Sequence, residues 1–421
     1  MLKRLYTLLL WLLLPYIGLH LLWRGRKQPE YLKHIPERFG FYPVKVSRPV
    51  LWLHAVSVGE TRAVQSLIER LLAAYPQWQI LLTHTTPTGR ATSLQLYGDR
   101  IQRVYLPYDF PFAVKRFLQH FKPQLGMLME TEIWVNLIDA CQNSAVPLLL
   151  LNARMSEKSA RNYARFAQLS KTALLGINRI AAQTESDAQR LSALGAHHVC
   201  VLGNLKFDIT TPPAMQSLGQ QFRAQFGIGR LIFLAASTRD GEEKLLLNAL
   251  QNINIPGLLL LIVPRHPQRF AEVATLLEQH GIAFQHRSQL TAQAIAPEIR
   301  AVLGDSMGEM AAYYGAADLA FIGGSLLPFG GQNLIEACAA GAPVLVGPHT
   351  FNFAEATQLA VAAGAALQVQ DCAGLVKEVQ RLLTNPVALH EMHRRCAGFV
   401  ESHRGATEKS LQVIHSLLQK H

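Results

Sequence analysis

The chain has 421 residues, of which 49% are hydrophobic and 16% charged, and this favours two α/β domains with well-buried parallel sheets over a single core. Its net charge of +11 predicts an anionic partner, but zinc-finger spacings, RNA-recognition signatures and long basic runs are absent, so nucleic acid is not expected. The five cysteines are scattered and include no CxxC pair, which argues for reduced thiols and against a disulfide framework or a zinc site.

The first predicted element is an apolar helix. The stretch from Leu5 to Trp23 carries no formal charge and is long enough to cross a bilayer. No small-residue cleavage site follows it, so we expect a retained membrane anchor rather than a signal peptide. Positive charge is richer after the helix than before it, which keeps the bulk of the chain cytoplasmic. Because Pro15 and His20 interrupt the stretch, a helix that lies on the inner leaflet is the alternative.

After a polar, basic neck from His34 to Phe41, the chain alternates apolar strands with amphipathic helices. The helical patterns include Thr61–Tyr75 and Ser156–Leu174. The strands are predicted at Val50–His54, Ile80–Thr83, Val104–Pro107, Leu125–Met129, Val146–Leu151, Arg179–Ala182 and Val199–Leu202. This alternation predicts a doubly wound, Rossmann-like parallel sheet for residues 46–207, behind an anchor and neck at residues 1–45.

A second domain is predicted for residues 208–421. Asp208–Pro213 has no apolar period and is interpreted as the linker. A second doubly wound sheet follows, and the helices from Leu375 to His421 are expected to cross back onto the first domain. Ligands of open parallel sheets bind at the carboxyl ends of strands, so we expect the catalytic cleft between the domains. The strands are predicted at Leu231–Ala236, Leu258–Pro264, Ala283–Gln285, Ala301–Leu303, Leu319–Ile322, Pro343–Val346 and Ala366–Val369.

Two carboxylates of the first domain follow strands directly. Glu60 lies where a helix begins, and Glu130 comes immediately after Leu125–Met129. A carboxylate in such a place can act as general base on an acceptor hydroxyl. For Glu60 the alternative is a first-turn glutamate that only complements the helix dipole. Burial of Glu130 is costly without a partner or a purpose, which favours a functional role, whereas Glu132 is interpreted as structural.

The second domain supplies candidates for nucleotide binding at the ends of its strands. A serine or an arginine there can bind a phosphate, and a loop can line a base pocket with backbone groups. Each candidate alone has an ordinary alternative as a helix cap, a salt bridge or a core residue. The candidates are Ser237, Pro264, Arg265, Met307, Gly308, Glu309 and Met310.

The stretch from Asp318 to Pro348 has the pattern strand, glycine loop, helix, strand, which is a βαβ unit. Its paired glycines let backbone approach a ligand, and the helix N-terminus offers N–H groups to a phosphate. Asn333 and Glu336 are one turn apart, so both can face that ligand, with Glu336 accepting bonds from ribose hydroxyls. The alternative is a tight connection with ordinary helix caps.

The G-x-G-x-x-G, P-loop, HExxH and GxSxG motifs are absent, which argues against oxidoreductase, kinase-like, zinc protease and esterase activities.

Six motifs carry a combined signal. They are WLHAVSVGE (Trp52–Glu60), METEIW (Met129–Trp134), LLLLNARMSEKS (Leu148–Ser159), GNLKFD (Gly203–Asp208), VPRHPQR (Val263–Arg269) and GGQNLIEA (Gly330–Ala337). Their combination resembles the 3-deoxy-D-manno-octulosonic acid (Kdo) transferase family of lipid A assembly, over essentially the whole chain. The resemblance implies a GT-B fold and an inverting transfer of one or more Kdo residues from CMP-Kdo to the lipid A precursor lipid IVA. It also implies a position on the cytoplasmic side of the inner membrane, with no essential metal and no cofactor.

The resemblance further implies roles for individual residues. The family's general base matches Glu60, which would deprotonate the acceptor hydroxyl, and its second essential acidic position matches Glu130. Ser237 is a looser match for donor binding, as is Lys206, which can equally be a hinge residue. The residues that match the CMP-binding positions are Pro264, Arg265, Met307, Gly308, Glu309, Met310, Asn333 and Glu336.

The positive charge would then serve an anionic lipid acceptor and an anionic membrane surface. Two other classes stay open: another GT-B sugar-nucleotide enzyme, such as a UDP-sugar transferase or epimerase, and a non-catalytic membrane-bound binding module. The presence of both Glu60 and Glu130 argues against the binding module. The basic residues that are candidates for attracting the lipid, each of which can equally be a solvated surface charge, are Arg38, Arg62, Arg90, Arg154 and Arg161.

Overall fold

The computed structural model describes residues 2–251 and 253–419 and builds them around two parallel sheets of seven strands each. The chain up to Asp208 and the stretch from His403 onward form one compact unit, here unit 1, and Ile209–Ser402 forms unit 2. The predicted fold class, two doubly wound α/β domains after an apolar N-terminal helix, is confirmed.

The sheet of unit 1 consists of β1 Val50–His54, β2 Gln79–His84, β3 Gln102–Tyr105, β4 Pro123–Met129, β5 Leu148–Ala153, β6 Arg179–Ala182 and β7 Val199–Val201. Its spatial order is β3-β2-β1-β4-β5-β6-β7, and neighbouring strands run parallel. The central strands are buried on both faces, as expected of a parallel sheet covered by helices. The chain winds outward in opposite directions from β1 and β4, so a switch point lies between these two strands.

The helices that cover this sheet are α1 Leu2–Lys27, α2 Val58–Ala63, α3 Gln65–Ala74, α4 Pro87–Tyr97, α5 Pro111–Phe121, α6 Val135–Asn143, α7 Glu157–Ala164, α8 Ala167–Leu175 and α9 Glu185–Ala193. Two stretches that we predicted as single helices are each divided. The backbone leaves the helical region at Val64, with ψ near 2°, and at Phe166, with ψ near 44°. The first break separates the short α2, which carries Glu60, from the longer packing helix α3.

Helix α1 is apolar and long enough to cross a membrane by length and composition. Pro15 lies inside the helix without ending it. The N-terminal half of α1 contacts unit 1: Tyr6 Oη donates to Asp109 Oδ2 at 2.8 Å, and Thr7 Oγ1 donates to Asn136 Oδ1 at 3.0 Å. Many of its leucines are exposed. One side of the helix is thus held by unit 1, while apolar side chains on the rest of the helix remain exposed.

The neck is folded into unit 1. Arg38 is buried and its guanidinium lies 4.0 Å from the centre of the Tyr105 ring. Arg90 forms a salt bridge of 2.8 Å with the buried Glu37. The predicted use of Arg38 and Arg90 as lipid-attracting charges is therefore wrong, because ring stacking and ion pairing occupy both side chains. Arg62 and Arg161 are exposed, and Arg154 is half-buried.

The sheet of unit 2 consists of β8 Ile232–Thr238, β9 Leu259–Pro264, β10 Phe284–His286, β11 Ala301–Leu303, β12 Leu319–Ile322, β13 Val344–Val346 and β14 Ala366–Gln368. Its order is β10-β11-β9-β8-β12-β13-β14, and neighbouring strands again run parallel. The second switch point lies between β8 and β12. The four strands β11, β9, β8 and β12 are consecutive in space, so the segments that follow them share one edge of the sheet.

The helices of unit 2 are α10 Pro213–Phe226, α11 Glu242–Leu250, α12 Phe270–Gln279, α13 Met310–Ala316, α14 Leu334–Ala339, α15 Ala354–Ala362, α16 Cys372–Leu383 and α17 Pro386–His403. The sequence analysis did not predict α10 or α15. Helix α10 packs through Phe222, whose ring stacks on that of Tyr313 at 5.1 Å. Phe222 and Phe226, four positions apart and both buried, form the packed face of this amphipathic helix.

The last described helix is α18 Ala406–Leu418, which belongs to unit 1 and packs on α3 and β4. The Asp208 carboxylate accepts backbone bonds from Gly405, at 2.7 Å, and from Thr407. Its own carbonyl accepts from Ser66 Oγ at 2.8 Å. Asp208, the last residue of the GNLKFD motif, thus holds the start of α18 on unit 1. Lys420 and His421, which we included in the predicted C-terminal helices, lie outside the described residues.

Candidate active site

The carboxyl ends of β1 and β4 bring the predicted acidic residues of unit 1 together at the switch point. The turn after β1 leads to Glu60 in the first turn of α2, and β4 is followed at once by Glu130 and Glu132. The negative charges of Glu130 and Glu132 both act on Glu60. Two candidates that are far apart in the sequence therefore belong to one cluster of carboxylates.

The turn around Glu60 holds its carboxylate. Oε2 accepts from the backbone N–H of Val56 at 2.8 Å, and Oε1 accepts from Ser57 Oγ at 2.9 Å. Ser57 also caps α2 by accepting from the Glu60 backbone N–H. The capping interpretation of Glu60 thus describes its local bonds. It does not describe its acidity, because burial, reinforced by the charge of Glu130, raises the pKa of Glu60 to about 7 against the lowering effect of the Val56 bond. A carboxyl group that titrates near neutral pH is suited to accept a proton from a hydroxyl.

Glu130 has a strained backbone and an ion pair. Its φ of 54° lies in the left-handed region, which costs a residue with a side chain on the order of 1–2 kcal/mol. Its N–H donates to the carbonyl of Leu151 at 2.9 Å, which fixes it at the end of the sheet. Lys206 Nζ donates to Glu130 Oε1 at 2.9 Å, and both side chains are about a quarter exposed. Backbone strain of this kind at the end of a strand points to a positioned functional group.

The loop that follows β7 positions Lys206. Asn152, at the end of β5, accepts the backbone N–H of Leu205 at 2.9 Å through its side-chain oxygen. Asn204 accepts the N–H of Lys206 at 3.0 Å and donates to the side chain of Gln183, also at 3.0 Å. Side-chain amides from two strand ends therefore fix the backbone that carries the ammonium group, which favours a positioned lysine over a hinge.

Glu132, which we interpreted as structural, belongs to the same cluster. Burial raises its pKa, and Trp134 Nε1 donates to its Oε2 at 2.6 Å. The same oxygen lies 3.9 Å from Nε2 of His54. Burial lowers the pKa of His54 to about 3, so this ring is neutral, and its Nδ1 is bonded to Thr83 Oγ1 at 2.9 Å. The sequence signal that could have grouped Glu132 with Glu130 was their separation by a single residue directly after a buried strand.

In unit 2, the predicted donor residues follow the four adjacent strands β11, β9, β8 and β12. Ser237, the second-last residue of β8, is buried and has a left-handed φ of 54°. Gly323, the first residue after β12, lies so close to it that a Cβ there would overlap the Ser237 backbone. Arg265 follows β9, and its N–H donates to the Thr238 carbonyl at 3.0 Å. The segments at the ends of β8, β9 and β12 are thus in direct backbone contact.

A glutamate that the sequence analysis missed organises this edge. Glu242 is fully buried in the first turn of α11 and accepts backbone N–H groups from Arg239, at 2.9 Å, and Gly324, at 2.6 Å. It also accepts from Leu326 at 3.1 Å. Burial raises the pKa of Glu242, and the three backbone hydrogen bonds oppose part of this rise. The only sequence signal was the acidic pair Glu242 and Glu243 at the start of a helix. Such a pair is equally expected of residues that only complement the helix dipole.

The structure joins Asn333 and Glu336 directly. Asn333 caps α14 by accepting the N–H of Ile335 at 3.1 Å, and its Nδ2 donates to Glu336 Oε1 at 3.1 Å. One N–H at this helix start is thus already used by the cap. Burial raises the pKa of Tyr314, the charge of Glu336 adds to the rise and that of Arg265 opposes it, so both charged residues act on one buried ring.

The loop Met307–Met310 connects β11 to α13. Gly308 has a φ of 85°, a conformation that favours glycine, and Met307 is exposed. The Glu309 carboxylate is held by the Arg287 guanidinium through two bonds of 2.8 and 3.1 Å. Its charge is thus paired within the protein, and the predicted role of the loop, to line a base pocket with backbone groups, stays a prediction.

The five cysteines are free. In the part of the chain that the structure describes, no group of three or more His, Cys, Asp or Glu side chains is placed to hold a metal ion. The chemical groups that converge at the two sheet edges are carboxylates, an ammonium group, a guanidinium group and backbone amides.

Comparison with known proteins gives the family. The family model described as 3-deoxy-D-manno-octulosonic-acid transferase (kdotransferase) matches residues 33–209. The 3-deoxy-D-manno-octulosonic acid transferase of Bordetella pertussis is 41% identical over 98% of this chain and 99% of that protein. The chain belongs to the Kdo transferase family. The transferase of the same description from Haemophilus influenzae is 35% identical over 97% of this chain and 96% of that protein. The predicted enzyme class, a glycosyltransferase of lipopolysaccharide biosynthesis, is confirmed.

Solved structures give the fold of this Kdo transferase independently. The UDP-GlcNAc 2-epimerase of Neisseria meningitidis aligns with a TM-score of 0.58 over 89% of this chain and 100% of that chain, at 15% identity. A glycosyltransferase of Rickettsia africae aligns with a TM-score of 0.57 over 89% of this chain and 100% of that chain, at 13% identity. The predicted GT-B fold is confirmed by this likeness, which at such low identity concerns the fold alone.

Proposed function

We propose that this Kdo transferase moves Kdo from CMP-Kdo to lipid IVA with inversion at the anomeric carbon. The observation that carries this proposal is the carboxylate cluster at the switch point of unit 1, in which Glu60 titrates near neutral pH. A hydroxyl acceptor needs a base that is ionised at cytoplasmic pH and still basic enough to accept its proton. Glu60 meets both conditions, whereas an exposed glutamate would be a weaker base.

In the proposed reaction Glu60 takes the proton of the acceptor hydroxyl as its oxygen attacks the anomeric carbon of Kdo. The new glycosidic C–O bond forms on one face of the sugar, and the bond to the CMP phosphate breaks on the other. The electron pair leaves on the phosphate, so CMP departs as an anion that needs little acid assistance. One displacement of this kind inverts the anomeric configuration. The proton that Glu60 holds is then released to solvent.

Glu130 and Lys206 are assigned to positioning. The ammonium group of Lys206 holds one carboxylate oxygen of Glu130, which leaves the other oxygen to accept a sugar or acceptor hydroxyl. The left-handed backbone of Glu130 directs that carboxylate from the strand end. Both residues would then act on orientation, which contributes to rate by keeping the reacting atoms aligned.

Unit 2 is assigned to the donor nucleotide. Arg265 supplies a positive charge for the CMP phosphate, and Ser237 and the loop Met307–Met310 supply backbone and hydroxyl groups from neighbouring strand ends. Glu336, bonded to Asn333, keeps an oxygen to accept ribose hydroxyls. Fixed dipoles and a guanidinium at the phosphate stabilise the charge that develops as CMP leaves.

We also propose that α1 fixes the transferase to the cytoplasmic face of the inner membrane and lies along the membrane surface. Lys3 pairs with Asp139, and Tyr6 bonds Asp109, so the start of the helix is held by unit 1. The end of the helix leads into the neck, where the Arg38 carbonyl accepts the N–H of Tyr108 at 2.9 Å. A helix with both ends on one catalytic unit fits an interfacial anchor better than a span.

A cysteine introduced at Lys3 should react with an impermeant thiol reagent from the cytoplasmic side of inverted vesicles, whereas labelling from the periplasmic side alone would favour the span.

The activity is tested by incubating the full-length protein with CMP-Kdo and lipid IVA. The proposal expects an acceptor mass that rises by whole Kdo units, and the anomeric configuration of the product reports inversion. UDP-sugars serve as the donor control. Transfer from UDP-sugars without transfer from CMP-Kdo would contradict the assignment of the donor.

A further inference from the structure

A cavity of about 300 Å³ opens on the surface of unit 1 beside the anchor helix. Its walls come from α1, from the loop between β4 and α6, and from α7 and α8. No charged side chain takes part in the lining. Its apolar and aromatic lining residues include Tyr6, Ile133, Tyr163, Phe166, Leu169 and Ala173. The volume is at the lower end of the range for small-molecule pockets and suits one slender apolar ligand.

Two of the polar side chains in the lining already have hydrogen-bond partners. Tyr6 Oη is bonded to Asp109, and Ser170 Oγ donates to the Tyr163 carbonyl at 2.8 Å. Phe166, which also lines the cavity, is 68% exposed and extends the apolar surface around it. The cavity therefore offers contact area to hydrocarbon, and the hydroxyl groups of Tyr6 and Ser170 do not need a polar ligand.

The position of the cavity identifies its occupant. One wall is α1 itself, through Tyr6, and the exposed leucines of the same helix continue this apolar surface toward the lipid phase. Another wall contains Ile133, which lies between Glu132 and Trp134 in the loop that also carries Glu130. A ligand in the cavity would therefore reach from α1 to Ile133, the neighbour of Glu132 in the sequence.

Charge complements this arrangement at the rim. Arg161 and Arg165 are exposed and flank the lining residues Asn162 and Phe166 in the sequence. An acyl chain in the cavity would belong to a head group that carries phosphates, and guanidinium groups pair well with phosphate. A peptide would need hydrogen-bond partners for its backbone, and two of the polar side chains in the lining, Tyr6 and Ser170, are already bonded within the protein.

We propose that this cavity is the binding site for one fatty acyl chain of the lipid acceptor, and that α1 is part of the acceptor site as well as an anchor. This inference rests on the proposed function. The acyl chain enters between α1 and α8, so that the sugar to which it is attached is presented to the carboxylates after β4. Recognition of the acceptor then depends on its acylation as well as on its sugar.

The test fills the cavity. Leu169→Trp places a larger side chain in the cavity, and Leu175→Trp, at an exposed position of the same helix, is the matched control. The two acceptors are lipid IVA and its fully deacylated glucosamine disaccharide bisphosphate, both with saturating CMP-Kdo. We expect Leu169→Trp to lower kcat/KM for lipid IVA at least tenfold, with little change for the deacylated acceptor, whereas Leu175→Trp resembles the wild type. An equal loss for both acceptors, or no loss for either, would overturn the proposal.

A binding measurement separates this inference from the proposed reaction. The dissociation constants of the two acceptors are measured in short-chain detergent for the wild type, Leu169→Trp and Leu175→Trp. Tighter binding of lipid IVA than of the deacylated acceptor, lost in Leu169→Trp alone, supports the acyl site even if no Kdo is transferred. Equal affinities in all three proteins contradict it even if transfer is observed.

Discussion

Lys206 donates a hydrogen bond to Glu130 across 76 positions of the sequence, and this ion pair ties the loop after β7 to the strained residue after β4. Because the bond fixes one oxygen of the carboxylate, Lys206→Met should lower kcat/KM by about tenfold or more, and Lys206→Arg should recover part of the loss. Residues in direct contact are coupled by about 0.5–3 kcal/mol, so the effects of Lys206→Met and Glu130→Gln should not add in the double variant. Additive losses would show that the two residues act separately.

Glu60→Gln tests the proposed base. Gln retains side-chain groups that can bond Val56 and Ser57 but cannot accept the acceptor proton, so the rate should fall by about 10²–10⁴-fold. The melting temperature and the affinity for CMP should stay close to those of the wild type. Glu69→Gln, at an exposed position on the neighbouring helix α3, is the control and should retain activity. Full activity in Glu60→Gln would remove Glu60 from the mechanism.

The raised pKa of Glu60 predicts the pH dependence of the reaction. Only the ionised carboxylate accepts a proton, so kcat/KM should fall as the pH drops below about 7. Burial is the main cause of the shift, but the charges of Glu130 and Glu132 contribute, so Glu132→Gln should move the midpoint to lower pH without abolishing the profile. A midpoint near 4.5, the ordinary value for glutamate, would show that Glu60 is not the titrating base.

The same shift affects stability with a defined sign. A carboxyl group whose pKa is raised on folding stabilises the protein below its unfolded pKa, and this contribution is lost as the pH rises through the folded pKa. The stability of Glu60→Gln relative to the wild type should therefore increase between pH 5 and pH 8. Thermal unfolding of both proteins across this range measures the difference. A constant difference would mean that the carboxyl group is not perturbed.

Arg265 is expected to act on the donor alone. Arg265→Ala should raise the dissociation constant for CMP about tenfold or more, because a guanidinium–phosphate pair is lost, and Arg265→Lys should recover only part of it. Arg381→Ala removes an exposed arginine of α16 and should bind CMP normally. Calorimetric titration with CMP checks both variants. Unchanged CMP affinity in Arg265→Ala would contradict the donor assignment.

Asp208 is predicted to hold α18 on unit 1. Its carboxylate accepts two backbone bonds, and a hydrogen bond to a charged group contributes about 1.5–3 kcal/mol. Asp208→Ala should therefore lower the free energy of unfolding by roughly 2–4 kcal/mol, and Asp208→Asn should lower it less. Hydrogen exchange should rise first in α18. Unchanged protection of α18 would show that the apolar face of the helix suffices.

The strands of the two sheets could be predicted from the sequence, because a buried parallel strand is a continuous apolar run. Glu60, Glu130, Arg265 and Asn333 were found because each follows such a run or starts the helix after it. Their grouping at sheet edges follows from the rule that parallel strands share their carboxyl ends.

The remaining features depend on contacts that a local pattern does not encode. The partner of Lys206 is distant in sequence, and Glu242 looks like any first-turn glutamate until its three backbone donors are seen. Arg38 has the sequence context of a solvated charge, yet the Tyr105 ring covers it. Helix α10, in contrast, has the buried Phe222 and Phe226 at helical spacing, so the sequence did contain its signal and we overlooked it.

The most direct test of the account is mass spectrometry of lipid IVA after incubation with CMP-Kdo and either the wild-type protein or Glu60→Gln. The account predicts that the wild type adds one or more Kdo units and that Glu60→Gln, which still binds CMP, adds none over the same period. An unmodified acceptor with the wild type, or equal Kdo addition by both proteins, would contradict it.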